Sequence, residues 1–441
     1  MKSGVFGLVL LLAILSCQRN NPDYGKEAAN PEFLHRSMVR LTDVIIYDVF
    51  TPPVSSRIYA YSTIAAYEAL VPGFPECQSL AGQLNDLDSL PKPDAGQTYC
   101  FPLASVHAFL TIGKALTFSE DSIAVFQEEL YAEFEAMGMP EAVYERSMQF
   151  GEAVAKRVLA WSGKDNYKQT RTFPKFSLND DPARWQPTPP GYKEAIEPHW
   201  NKTRPFTLDS AAQFAPPPPT AFSTDKNSAF YKEALDVYEA LNVADKEERI
   251  AIAKFWDDNP FISHHVGHVM FATKKASPGG HWTGIGAIAS RKGNADLMKT
   301  TETYLYITLA MADGFISCWD EKFRSNLVRP ETYINKYIDE DWAPLLQTPP
   351  FPEYTSGHSV ISNAIAVVTT HLYGDHFEYT DTTEEVIGLP ARSFKSFGSA
   401  CDEACISRFY GGIHYMPAIA NGASQGKNVG KHILKRVKTR K

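Results

Sequence analysis

Three short stretches of this 441-residue chain carry side chains whose types suit one task, holding a small tetrahedral oxyanion. Ser356, Gly357 and His358 stand directly before a helix-forming run that reaches Tyr373. A serine there is a natural N-cap, and the peptide N–H groups behind it have no partner inside the helix and sit at the positive end of its dipole. Lys322 and Arg329 are seven residues apart, a spacing that returns both to nearly the same helix face with a drift of about 20°. Arg408 and His414 bracket Gly411-Gly412, where paired glycines let the backbone turn and come close to a ligand. Two guanidinium forks, an ammonium, a hydroxyl and a glycine N–H would surround an oxyanion with donors on several sides. His358 and His414 are left over for proton transfer and nucleophilic or ligand chemistry. Alone, each stretch has an ordinary explanation: a helix cap, an exposed charged face, a satisfied core histidine. Their joint occurrence, in this order, carries the reading.

Lys322, Arg329, Ser356, Gly357, His358, Arg408 and His414, in that sequence, resemble the signature shared by type 2 phosphatidic acid phosphatases and vanadium-dependent haloperoxidases, over residues 319–430. The resemblance implies that Lys322, Arg329, Ser356, Gly357, Arg408 and His414 hold vanadate, or phosphate in a phosphatase, with His414 as the single protein ligand to vanadium. His358 is then the acid or base opposite it, and Lys322 polarises bound peroxide. One cradle serves both chemistries, because a site shaped for the five-coordinate phosphoryl-transfer transition state also suits vanadate. As a haloperoxidase the protein would oxidise a halide with hydrogen peroxide; as an exported acid phosphatase it would hydrolyse a phosphate monoester through a phosphohistidine at His414. A non-enzymatic phosphate-binding lipoprotein is a third reading, disfavoured because binding alone needs no histidine pair. Two positions depart from the family pattern. Thr355 replaces a proline before the Ser-Gly-His triplet, and Ala418 replaces an aspartate four residues after His414 that would orient the imidazole. A backbone carbonyl or Asn421 would have to take over that task.

The elements that must position these groups are helical. Strand-like alternation is scarce, so the fold class is all-α, a helical bundle of the haloperoxidase and acid phosphatase type with a long proline-rich cover. Helices are expected over Phe33–Leu70 with a break at Pro52-Pro53, and over Leu103–Leu116, Ser119–Met137, Glu141–Ser162, Asn227–Leu241, Asp245–Asp257, Ser263–Lys274 and Ala295–Arg329. Tyr304–Ile316 is apolar nearly all round and must be central, delivering Lys322 to the interior. A last helix starting near Pro417 repeats Ala418, Gly422, Gly426 and Gly430, a ridge for close helix packing. Prolines crowd residues 163–225 too densely for helix, leaving a covering loop or a wall of the site's mouth. Residues 33–225 are expected to form a helical region with this cover, and 226–441 the bundle carrying the site.

With 44% hydrophobic content the chain can bury a large core, and a formal charge of -8 gives no basic field for nucleic acid. Met1–Ser16 is too short to span a bilayer and is similar to a lipoprotein export signal, with residues 1–17 as the signal segment, Cys17 lipidated and 18–32 a tether. That implies a periplasmic or cell-surface protein touching the membrane only through its lipid; an ordinary secretory signal is the alternative. Of the remaining cysteines, Cys77 and Cys100 are the expected bridge, while Cys401 and Cys405, one helical turn apart, are poorly placed for one. His264, His265 and His268 have helical spacing that could hold zinc, without a supporting carboxylate motif. Pro278-Gly279-Gly280-His281-Trp282 resembles a motif of the haloperoxidase-like group, in which His281 and Trp282 would line the pocket; a turn with a packed tryptophan explains it equally well.

Overall fold

In the computed structural model, which describes residues 21–260, 262–266, 269–272 and 274–441, helices succeed one another with little strand, as the patterning predicts. In chain order they are α1 (Tyr24–Ala28), α2 (Glu32–Tyr47), α3 (Pro52–Leu70), α4 (Phe101–Leu116), α5 (Glu120–Ala136), α6 (Glu141–Ser162), α7 (Tyr167–Thr170), α8 (Ala229–Tyr238) and α9 (Lys246–Phe255). After them come α10 (Pro278–Lys292), α11 (Leu297–Ser325), α12 (Pro330–Tyr337), α13 (Gly357–Tyr373), α14 (Phe397–Tyr410) and α15 (Met416–Arg436). The signal segment and Cys17 lie outside the described residues, and from Asn21 onward the chain is docked, with Asn21 N–H donating to the Gly138 carbonyl and Ala28 buried. No helix among the described residues is long and apolar enough to cross a membrane.

Local chemistry explains the element ends that matter here. The α2/α3 break falls where Pro52 and Pro53 occupy the first helical positions, which need no N–H partner, and Thr51 caps the turn by accepting from Val54 N–H. α11 is the axle of the fold: every residue from Thr300 to Trp319 is buried, and α3, α10, α13 and α15 pack around it. One apolar core runs from Ala28 to Val437.

Two expected helices are corrected. Ser263–Val266 (β1) and Val269–Ala272 (β2) pair antiparallel, so His264 and His265 lie on a strand and have no helical register; His268 lies outside the described residues. Lys322 and Arg329 do not share a helix either. α11 stops at Ser325 because Asn326 takes a left-handed conformation (φ 48°), its N–H returning to the Lys322 carbonyl. A second small antiparallel pair, β3 (Tyr379–Asp381) with β4 (Arg392–Phe394), precedes α14. Cys77 and Cys100 are buried and unbridged, and Cys401 and Cys405 stay free with sulfurs 4.0 Å apart.

The proline-rich segment buttresses the site from outside. Trp185 N–H donates to the Asn326 carbonyl, Val328 N–H to Ala183, Ile196 N–H to Pro350, and the Trp319 indole to Ile196. It thereby clamps the two stretches that lead to Arg329 and to Ser356. α15 closes the other side through its glycine ridge, where a Cβ at Gly422 would meet the Ser356 carbonyl at 3.1 Å and one at Gly426 would overlap the Val360 carbonyl. Backbone cannot yield as a flexible side chain does, so Gly426→Ala is expected to cost about 1–3 kcal/mol, read as a lower urea midpoint at unchanged slope.

Candidate active site

Lys322, in the last turn of α11, is completely buried, and its ammonium donates to the carbonyls of Pro352 (3.0 Å), Glu353 (3.0 Å) and Thr355 (2.6 Å) beneath the Phe351 ring. Burial pushes it down to about 7. Three carbonyls at such distances still require three N–H donors, which only the charged form has. Lys322 therefore ties α11 to the approach of α13. Arg329 reaches the same place from the start of α12: Nε donates to the Phe351 carbonyl (2.9 Å), and Nη1 to the Ile413 carbonyl (2.8 Å) and to His414 Nε2 (3.1 Å).

That last contact fixes the His414 tautomer. Arginine nitrogens only donate, so Nε2 must accept and carries a lone pair. The proton sits on Nδ1, which donates to Glu353 Oε1 at 2.8 Å, an oxygen that also accepts from Tyr415 N–H at 3.0 Å. Burial, followed by the charges of Arg329, Lys322 and Arg408, holds His414 well below the usual imidazole range, hence neutral. The acceptor anticipated for a chain with Ala418 is thus neither a carbonyl nor Asn421. The Ala418 carbonyl accepts from Ser356 N–H, Asn421 bonds the Tyr354 hydroxyl, and Glu353 takes the orienting role. Glu353 was not singled out by its sequence context, although it is the only carboxylate between Phe351 and Tyr373. Burial pushes it up to about 7, against the pull of Arg329 and Lys322.

Ser356 caps α13 as expected, accepting from Ser359 N–H, and no acceptor among the described residues faces the N–H groups of Gly357 and His358. His358 Nε2 faces the Trp256 carbonyl at 3.1 Å; a carbonyl only accepts, so the proton is on Nε2 and Nδ1 is free to exchange one. Asp258 Oδ2 lies 3.5 Å from the same nitrogen. Burial and Arg408 lower His358, opposed by Asp258. Arg408, on α14, donates through Nη1 to that Trp256 carbonyl at 2.6 Å. Between it and His414 the chain turns at Gly412 (φ 78°), where any Cβ would also crowd Trp342 and Pro344.

Gly357, His358, Arg408 and His414 open onto one pocket walled by Trp319 and Phe351. Lys322, Arg329 and Ser356 are buried just behind its surface. Trp282 is packed away, its indole donating to Ser362, and His281 sits behind Asp258, so neither lines the pocket; Pro278 of the same motif does. Two buried guanidinium nitrogens, Arg329 Nη2 and Arg408 Nε, have no protein acceptor. Leaving such donors unpaired is costly, and an oxyanion within their reach would satisfy them. The donor set therefore fits vanadate or phosphate.

The family model described as the VCPO second helical-bundle domain matches residues 336–440. No curated protein matches the sequence. Among solved structures, a bacterial vanadium-dependent iodoperoxidase is similar at 50% identity and a TM-score of 0.89, covering 93% of this chain and 98% of its own. A holo-type bacterial vanadium-dependent chloroperoxidase shares the fold at 17% identity and a TM-score of 0.67, over 88% of this chain and 93% of its own. Half-identity across nearly the whole of both chains, together with the helical fold, makes this protein an enzyme of the vanadium-dependent haloperoxidase family.

Proposed function

We propose that the enzyme oxidises iodide with hydrogen peroxide, using a vanadate held by Lys322, Arg329, Ser356, Gly357, Arg408 and His414. The observation that carries the proposal is the neutral His414, whose Nε2 lone pair is fixed by Glu353 on the opposite nitrogen and surrounded by cations. Vanadate, when bound, supplies a Lewis-acid centre that makes hydrogen peroxide an electrophile toward halide. The rest of the chemistry belongs to the chain. Arg329 and Arg408 would offset the anion's charge with their unpaired N–H groups, and the first turn of α13 would add its backbone donors. His414 supplies the one lone pair among these donors. His358 takes and returns a proton at Nδ1, with Nε2–H pinned on Trp256 and the positive charge faced by Asp258. Lys322 contributes its charge from behind while its three donors fix the backbone of 352–355.

Iodide is favoured because the half-identical relative is an iodoperoxidase and because the walls of Phe315, Trp319 and Phe351 suit a large, weakly hydrated anion. The deciding experiment measures triiodide formation from iodide and peroxide by purified protein titrated with vanadate, beside vanadium content per chain. Vanadate-inhibited hydrolysis of an aryl phosphate without peroxide-dependent iodide oxidation would instead make it an acid phosphatase. Arg408→Ala is expected to weaken vanadate binding roughly ten-fold or more, since one charge-assisted hydrogen bond contributes roughly 1.5–3 kcal/mol; equilibrium dialysis reads this directly. Export with lipidation at Cys17 belongs to the same proposal, and the mass of the mature N-terminal peptide tests it.

A further inference from the structure

His281, in the first turn of α10, is fully enclosed and has a carboxylate on each ring nitrogen: Asp381 Oδ2 at 2.9 Å from Nε2 and Asp258 Oδ1 at 3.0 Å from Nδ1. Ionised carboxylates only accept, so both nitrogens carry protons and the ring is an imidazolium. Burial opposes that charge, but Asp258 and Asp381 outweigh it and raise the group well above its usual value. A third carboxyl, Glu384, lies 3.7 Å from Nδ1 and is pushed up to about 7 by burial, Asp258 and Asp381, against the pull of His281. The His281 ring also stacks on Trp256, centroids 4.5 Å apart and planes at 17°.

These contacts converge on the acid–base histidine. Trp256, gripped through its ring by His281, offers its carbonyl to both His358 and Arg408. Asp258 is held through Oδ1 by His281, which leaves Oδ2, without a hydrogen bond of its own, facing His358 Nε2 at 3.5 Å. Arg408 also feels the charge of Asp258 and of Asp257, the latter paired with Lys275 at 3.1 Å. We propose that His281 is a positioning residue for His358: clamped between Asp381 and Asp258 and stacked on Trp256, it keeps Asp258 a carboxylate turned toward His358 and fixes which nitrogen of His358 is protonated. This rests on the haloperoxidase reading for its effect on turnover, not for its geometry.

Nitrogen NMR of the full-length chain labelled at histidine, without vanadate, tests the arrangement. One imidazolium is expected to persist at a pH where the other histidines are neutral and to vanish in His281→Gln, while His358 loses its Nε2–H tautomer preference. With vanadate, His281→Gln is expected to lower kcat roughly ten- to hundred-fold, the scale for groups that orient a reacting group from outside, with vanadate Kd and the iodide KM within two-fold. Asp381→Asn, which leaves His281 and Asp258 in place, is the milder variant if the glutamine fails to fold; its imidazolium is expected to titrate at lower pH and its kcat to fall less. Absence of the imidazolium in the wild type, or parallel loss of vanadate affinity and kcat in both variants, overturns the proposal. So does a stoichiometric divalent metal lost in His281→Gln, since Asp258, His281 and Glu384 offer donor atoms within 4.8 Å of one another. Wild-type protein lacking peroxide-dependent turnover refutes the haloperoxidase reading alone; the positioning claim is then decided by the His358 tautomer.

Discussion

His414→Ala is expected to reduce peroxide-dependent iodide oxidation by on the order of a hundred-fold or more, the scale on which a directly participating side chain contributes. The reason lies in the composition of the pocket. Arg329, Arg408, Lys322 and the first-turn N–H groups of α13 are all donors, so they can hold an anion's oxygens but cannot bind its central atom. His414 Nε2 carries an imidazole lone pair, which in this structure accepts from Arg329 Nη1 at 3.1 Å, while the lone pair on His358 Nδ1 is the one kept for proton transfer. The alanine variant keeps the cations, so vanadate is expected to remain weakly attracted while turnover disappears. Dialysis with vanadate and a triiodide assay separate the two effects. A variant that oxidises iodide within a few-fold of wild type would show that the reaction does not use this imidazole.

The parts of this site legible in the sequence were those set by local rules. A serine before a helix-forming run caps it whatever surrounds it, and Gly411-Gly412 between Arg408 and His414 can only be a close turn, so both are where spacing puts them. The glycine ridge of α15 was equally readable, because small residues at every fourth position let a neighbouring helix approach closely. What escaped depends on tertiary context. Lys322 and Arg329 fit one helix by count, but Asn326 ends α11 between them and the proline-rich cover pairs with residues 326–328, so they meet from separate elements. The paired strands Ser263–Val266 and Val269–Ala272 include a short apolar run whose period does not distinguish strand from helix. Asp258, beside Asp257, and the isolated Glu353 stand in stretches without a motif, and only the fold brings them to His358 and His414.

Glu353 carries the second large effect, because this chain solves differently a problem its family pattern solves with an aspartate after the ligand histidine. An imidazole can protonate either nitrogen, and only the Nδ1–H form presents a lone pair at Nε2. Glu353 Oε1, at 2.8 Å from Nδ1, selects that form and aims the ring. Glu353→Ala removes the acceptor, leaves Tyr415 N–H without its partner and strips the carboxyl whose charge offsets Lys322 and Arg329. Vanadate affinity and turnover are both expected to fall roughly ten- to hundred-fold, as for other residues that orient a metal-binding histidine. Glu353→Gln separates the two contributions, since its amide oxygen can still accept from Nδ1 while the charge is gone. If acceptance is what matters, the glutamine variant retains vanadate affinity within a few-fold of wild type and the alanine variant does not. Equal losses in both would assign the effect to charge. Wild-type affinity in both would mean that the ring is oriented by Arg329 alone, and that the carboxylate so close to His414 serves only the packing of Tyr415.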